Sequence, residues 1–111
     1  MTDQEAFDIV AHHLLTQRER SENHGMCAYR GRNGLKCAIG ALIPDSDYHP
    51  GLEGRGACEV RWKLRVLQSV NVDLLSDLQK LHDKKPPVEW TKGLRAIARD
   101  YRLDASVLDY S

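Results

Sequence analysis

Apolar side chains recur at helical spacing near the start of the chain, from Phe7 to Leu15. Thr2 is followed three positions later by Glu5, and this pair is the signature of a capping box. A capping box satisfies backbone N–H groups that the first turn of a helix leaves unpaired. The pattern therefore predicts a helix over about residues 3–19.

Two short apolar segments around an Asn-Gly pair are typical of a β-hairpin. Residues 26–30 and 35–39 flank a turn that contains Asn33 and Gly34, which supply the positive φ angles of a type I′ turn. The apolar run that follows, residues 41–43, fits either a longer second strand or a helix.

The segment 57–70 fits two patterns. Its apolar positions alternate with charged ones, as in a strand, and they also recur at helical spacing. The segment contains no Gly or Pro, and its length favours a helix. Trp62 lies in this apolar row and Trp90 lies in a later one, so we expect both tryptophans in the core.

Two further helices are predicted in the last third of the chain, on either side of Pro86 and Pro87. Asn71 is a suitable N-cap for the first helix, and the proline pair ends it because proline donates no backbone hydrogen bond. Each helix carries an apolar stripe, and the short connection between them should bring the stripes together. The stripes are Leu74, Leu75, Leu78 and Leu81, and Trp90, Leu94, Ile97 and Tyr101.

Composition narrows the class of protein. The 111 residues suit one compact domain over residues 1–111. With 16 basic and 16 acidic residues the net charge is zero, which argues against a nucleic-acid partner. Apolar runs are too short to span a membrane, and Asp3, Glu5 and Asp8 interrupt any signal sequence. We expect a cytoplasmic α+β domain, in which a small antiparallel β-hairpin packs against about four helices, without a membrane partner.

The three cysteines, Cys27, Cys37 and Cys58, are expected to be small buried hydrophobic residues with reduced thiols. Their spacing matches no zinc finger or ribbon, and no dinucleotide or Walker fingerprint is present, so we expect neither a metal nor a cofactor. In the predicted hairpin, Cys27 and Cys37 do not lie directly opposite each other. The sequence therefore argues against a disulfide between them.

A thiol enzyme is one alternative that the sequence leaves open. The predicted hairpin places Arg30 beside Cys37, where a guanidinium would favour the thiolate. His82 and Asp83 would then complete a set of nucleophile, base and orienting carboxylate.

A small anionic ligand is a second alternative. Arg30, Arg32 and Lys36 surround the glycine-containing turn, and arginines beside turn amides can hold a phosphate group or a nucleotide. The competing interpretation is an ordinary solvated hairpin tip.

The second half of the chain is rich in basic residues. They would form a surface for an anionic partner if two of their rows faced the same way. The interspersed acidic residues favour a solvated face instead. The basic residues are Arg61, Lys63, Arg65, Lys84, Lys85, Lys92, Arg95, Arg99 and Arg102.

The middle of the chain resembles a family of short uncharacterised proteins from bacterial and phage genomes. The resemblance rests on a C-x-Y-R-G motif at residues 27–31 and on G-L-K-C-A-x-G-A-L-I-P-D at residues 34–45. It extends to residues 4–8, 13–15, 52–54, 78–79 and 82–83 and to Tyr48 and Trp90, and so covers most of the chain.

The resemblance supplies a biological context rather than a mechanism. Small phage proteins without a catalytic signature often bind and modulate a host component. The resemblance therefore implies a protein that binds a host or mobile-element partner, such as a defence component, without catalysis.

Overall fold

The computed structural model describes residues 1–110, and its first helix begins at the capping box. Helix α1 spans Asp3–Gln17. The Glu5 N–H donates to the Thr2 hydroxyl (3.1 Å), and the Thr2 N–H donates to the Glu5 carboxylate (2.8 Å). The helix ends at Gln17, two residues before the predicted end, and Arg18 caps it in a left-handed conformation (φ 55°).

The β-hairpin is shorter than predicted and lies earlier in the chain. Strands β1 (Glu22–Asn23) and β2 (Met26–Cys27) pair in antiparallel fashion. His24 and Gly25 connect them, and both have the positive φ angles (54° and 77°) that a tight hairpin turn requires. The predicted α+β class is confirmed, but the predicted location of the hairpin is wrong.

The segment predicted as the second strand contains a turn and the start of a helix. Arg32–Gly34 form a 3₁₀ turn, in which Asn33 has φ 57°. Helix α2 spans Ala38–Leu42, and the Cys37 Sγ accepts a hydrogen bond from the Gly40 N–H (3.4 Å) at its N-terminus. The three consecutive residues 37–39 are all buried, so this segment lacks the alternation of a half-exposed strand.

Helix α3 covers only the first half of the ambiguous segment. It spans Ala57–Lys63 and is followed by a 3₁₀ turn at Arg65–Leu67. Val60 is buried, whereas Trp62 lies on the opposite side and is 78% exposed. The helix prediction is confirmed for this half, but the prediction that Trp62 belongs to the core is wrong.

Helices α4 (Val72–Lys84) and α5 (Trp90–Asp100) pack against each other as predicted. The Asn71 side chain accepts from the Asp73 N–H (2.8 Å) and caps α4. Gly93 permits a close approach, because a Cβ atom there would lie 2.3 Å from Cδ1 of Leu81. Every residue of the two predicted stripes is buried except Tyr101, whose hydroxyl donates to Asp77 (2.6 Å).

Within residues 1–110, five α-helices surround a core to which each of them contributes. Helix α4 contacts each of the other four helices, so it lies at the centre of the helix packing. None of the helices in the described part of the chain is long and apolar enough to cross a membrane.

Candidate functional site

Arg30 lies inside a network of oxygen acceptors. Its guanidinium donates to the carbonyls of Gly40 (2.7 Å) and Ile43 (2.8 Å) and to the carboxylate of Asp45 (3.0 Å). It also lies over the ring of Tyr48, 4.8 Å from the centroid. Arg30 therefore binds the C-terminal end of α2 and the loop that follows it.

Glu53 completes the same network from the other side. Its carboxylate accepts hydrogen bonds from the N–H groups of Tyr29 (2.9 Å) and Arg30 (3.0 Å) and from the Tyr48 hydroxyl (2.7 Å). Burial and the bond to Glu53 raise the pKa of Tyr48 to about 12. The distinctive sequence motif thus supplies a structural network that holds the 28–53 segment together.

The structure does not bring Arg30, Arg32 and Lys36 together around one ligand position. Lys36 lies near Asp45, with a distance of 3.8 Å between Nζ and the carboxylate, so Asp45 already faces both Lys36 and Arg30. Arg32 is exposed on the 3₁₀ turn and has no ion-pair partner within residues 1–110.

Both ring nitrogens of His82 are occupied by hydrogen bonds. Nε2 accepts from the backbone N–H of Ser21 (3.0 Å), and Nδ1 donates to Asp83 (2.8 Å). The ring is fully buried and stacks on Trp90, with 5.6 Å between the centroids. In this arrangement the imidazole has no lone pair available to act as a general base.

The predicted pairing of Arg30 with Cys37 is absent, because the hairpin lies elsewhere. Cys37 is fully buried at the start of α2, Cys27 is half-buried and Cys58 is exposed, so the prediction that all three cysteines are buried is confirmed only for Cys37. Cys27 is the thiol closest to the histidine and its neighbour. Its sulfur, a His82 ring nitrogen and a carboxylate oxygen of Asp83 all lie within 4.8 Å of one another.

Gln79 organises the surroundings of Cys27. Its side-chain amide donates to the Cys27 sulfur (3.0 Å) and to the Asp83 carboxylate (2.9 Å). Its carbonyl oxygen accepts from the Ile39 N–H (3.0 Å), which fixes the orientation of the amide. Cys27, Gln79 and Asp83 line a cleft of about 210 Å³ together with residues 54–57.

The environment of Cys27 favours the protonated thiol. A hydrogen bond with Cys37, burial and the nearby Asp83 carboxylate raise its pKa well above the usual range. Burial alone would raise the pKa of Asp83, but hydrogen bonds from His82 and Gln79 outweigh it and hold that pKa below its usual value. The carboxylate therefore stays charged while the thiol beside it keeps its proton.

This cluster contains ligand types that suit zinc, but its hydrogen bonds compete with metal binding. A histidine that binds a metal through Nδ1 carries its proton on Nε2. That proton would face the Ser21 N–H, and two donors would then point at each other. Only Cys27 and Asp83 of the cluster remain as ligands without such a conflict.

A basic groove runs between the exposed sides of α4 and α5. Two of its clefts, of about 260 and 370 Å³, lie between the helices and share Lys85, and a third of about 510 Å³ is lined by α5 residues alone and shares Lys92 with the first. We call it the α4–α5 groove. Its apolar lining residues are Leu81, Gly93, Ala96 and Ile97; its basic ones are Lys80, Lys84, Lys85, Lys92, Arg95 and Arg99; its acidic ones are Asp77, Glu89 and Asp100.

The lysines of the groove are free of ion pairs within residues 1–110. Arg95 faces Asp109 only at 4.0 Å, and Arg99 faces its neighbour Asp100 at 3.5 Å. Lysines from both α4 and α5 therefore line this groove without an acidic partner in the described part of the chain, whereas Arg61, Lys63 and Arg65 lie outside it.

Comparison of the chain with models of protein families, with curated proteins and with solved structures found no match. The candidate sites consequently rest on geometry alone. Sequence reasoning missed the roles of Cys27 and Gln79. The spacing of Gln79 and Asp83, one helical turn apart, was the visible signal that their side chains share a face of α4.

Proposed function

We propose that this protein is a non-catalytic binding protein whose α4–α5 groove takes up an acidic segment of another protein. The observation that carries the proposal is the charge of the groove. Six basic and three acidic side chains line it, although the whole chain has 16 of each. A locally positive surface on a neutral protein favours an anionic partner.

The apolar floor of the groove favours a protein segment over nucleic acid. Leu81 and Ile97 are less than one tenth exposed, yet they reach the floor between the lysines. Val88, in the connection between the helices, is 84% exposed. An amphipathic acidic segment could place carboxylates on the lysines and apolar side chains on this floor, as an interface with an apolar centre and a polar rim requires.

The interior of the protein supports binding rather than catalysis. The thiol nearest the histidine is held protonated, and a thiol nucleophile needs the thiolate. Both nitrogens of His82 are engaged, and Arg30 is saturated with acceptors. A host or mobile-element protein, including a component of host defence, is the class of partner that the resemblance to phage proteins implies.

A defined probe tests the proposal. A fluorescently labelled amphipathic peptide of glutamate and leucine is titrated with the protein, and its anisotropy gives Kd at low and moderate salt. We expect measurable binding that weakens with salt, because the attraction between charged groups is screened. Reversal of two groove charges, Lys84→Glu with Lys92→Glu, should weaken binding at least about tenfold.

Charge reversal elsewhere on the surface is the matched control. Lys63→Glu with Arg65→Glu changes the net charge equally, but both residues are exposed outside the groove. This control should retain most of the affinity. Equal weakening by both double variants would refute a specific groove, and tighter binding of a DNA duplex than of the peptide would assign the groove to nucleic acid instead.

A further inference from the structure

A cleft of about 380 Å³ lies between α1 and the segment that leads into α2. Its volume falls in the range of about 300–1,000 Å³ that small-molecule sites occupy. The contributing residues of α1 recur one helical turn apart and therefore share one face of the helix. We call it the α1–α2 cleft. The residues that line it are Ile9, His12, His13 and Thr16 from α1, Lys36 from the segment before α2, and Ala41 from α2.

Three hydrogen bonds fix the backbone of Lys36 against α1. The Lys36 N–H donates to the side-chain carbonyl of Gln17 (3.0 Å). The Lys36 carbonyl accepts from the side-chain amide of Gln17 (2.9 Å) and from Nε2 of His13 (2.9 Å). The two walls of the cleft are therefore held together before any ligand binds, and a preformed cleft orders few groups on binding.

The polar side chains of the cleft can all donate hydrogen bonds. Within residues 1–110, no acidic side chain lines it. Lys36 supplies an ammonium group, whose exposed partner Asp45 lies 3.8 Å away and already pairs with Arg30 at 3.0 Å, so this contact with Asp45 is weak. The Thr16 hydroxyl and the His12 ring have no hydrogen-bond partner in the described part of the chain. Free donors beside a cation favour an anionic group.

The rest of the lining is apolar. Ile9 is 41% exposed, although isoleucine is among the residue types that folding most often buries. Ala41 of α2, which is half-buried, adds a second apolar surface. A ligand with a compact apolar body would remove the Ile9 side chain from water while its charged end meets the donors.

We propose that the α1–α2 cleft binds a small organic anion, a carboxylate or a phosphate ester with a compact apolar body. The anionic group accepts hydrogen bonds from Lys36, Thr16 and His12, and the apolar body covers Ile9. The sequence predicts an anion site for Lys36 at the turn, whereas the structure places this lysine beside α1. The cleft shares no residue with the α4–α5 groove, so the proposal stands or fails independently of the proposed function.

Benzoate and phenyl phosphate are suitable probes, and NMR titrations of the backbone amides near neutral pH measure their binding. Benzyl alcohol has the ring without the charge, and inorganic phosphate has the charge without the ring. We expect saturable shifts around Thr16 and Lys36, with a Kd of about 1 mM or lower for at least one aromatic anion. Benzyl alcohol and inorganic phosphate should each bind at least about fivefold more weakly. The tighter of the two aromatic anions identifies the preferred charged group.

Side-chain variants locate the site. Lys36→Gln should weaken binding at least about fivefold, and it should keep the fold because the backbone of Lys36 makes the bonds to α1. Arg32→Gln is the matched control, because it removes an equal charge from the exposed turn nearby and should retain the affinity. Ile9→Gln should reduce the preference for the aromatic anion over inorganic phosphate.

Four outcomes would overturn the proposal. The first is the absence of saturable shifts with both aromatic anions. The second and third are affinities for benzyl alcohol or for inorganic phosphate equal to that for the aromatic anion, since the cleft would then not recognise both parts of the ligand. The fourth is equal weakening by Lys36→Gln and Arg32→Gln, which would show that general surface charge, or the turn, attracts the anion.

Discussion

The backbone N–H of Ser21 donates a hydrogen bond to Nε2 of His82 at 3.0 Å, and both residues are fully buried. Because a backbone N–H can only donate, Nε2 must accept, and the proton of the neutral ring lies on Nδ1. Nδ1 in turn donates to Asp83 (2.8 Å). The ring therefore joins the end of α4 to the loop between α1 and β1 and is a structural element of the fold.

Replacement of this ring should destabilise the protein strongly. His82→Ala removes the acceptor of the Ser21 N–H and leaves a cavity beside Trp90, so we expect a loss of at least about 2 kcal/mol in the free energy of unfolding. Urea denaturation measures it. His12→Ala, on the exposed side of α1, should stay within about 0.5 kcal/mol of the wild type. A similar small effect at both positions would contradict the structural role.

Gly40 is required by the close approach of α2 to the backbone of Tyr29. A Cβ atom at position 40 would lie 2.3 Å from the Tyr29 carbonyl oxygen, which belongs to the main chain and cannot rotate away. Gly40→Ala should therefore cost about 1–3 kcal/mol, even though alanine normally stabilises a helix relative to glycine. Thermal and urea unfolding of the variant measure this cost.

Gly56 offers the matched control for this substitution. Nothing lies within 4 Å of a Cβ atom at Gly56, and its φ of −76° suits any residue. Gly56→Ala should change stability by less than about 1 kcal/mol, because restriction of the unfolded chain offsets the weaker N-cap that alanine gives α3. If the two alanine variants were equally stable, α2 and Tyr29 would not pack as described.

Arg30 should be irreplaceable by lysine. A lysine ammonium lacks the planar fork that reaches the carbonyls of Gly40 and Ile43 together with Asp45, so we expect Arg30→Lys to cost about 1–3 kcal/mol. Arg32→Lys, on the exposed turn, should be neutral. If the turn bound an anion instead, Arg32 would contribute to binding. Phosphate would then raise the melting temperature of the wild type but not that of Arg32→Ala.

Features that depend on neighbouring residues were predictable from the sequence. Thr2 and Glu5 cap α1, and Asn71 caps α4, as their spacing indicated. In each case the capping side chain reaches backbone N–H groups two or three residues away. Packing elsewhere in the protein scarcely alters such a contact.

Features that depend on distant packing were not predictable in the same way. Asn33 and Gly34 do have positive φ angles, but they belong to a 3₁₀ turn rather than to a hairpin turn. The following residues 37–39 are all buried in the core, so they cannot form a strand with one exposed face. Trp62 belonged to the alternating, strand-like row of its segment, but α3 is a helix that turns Val60 inward and Trp62 outward. Because the hairpin lies earlier in the chain than predicted, Cys37 begins α2 instead of facing Arg30 across a strand pair.

Acidification should reveal the burial of His13. Burial lowers the pKa of His13 below its ordinary value of 6.5, and the bond to the Lys36 carbonyl (2.9 Å) offsets this only in part. The unfolded chain therefore takes up a proton at a higher pH than the folded chain does. This contribution to stability is full above about pH 7.5 and declines as the pH falls through about 6.5, by at most about 1.4 kcal/mol per pH unit.

His13→Gln keeps a donor for the carbonyl without titrating, so urea unfolding between about pH 7.5 and about pH 5 should show a shallower decline in the variant. An equally steep decline in both proteins would show that His13 does not cause it.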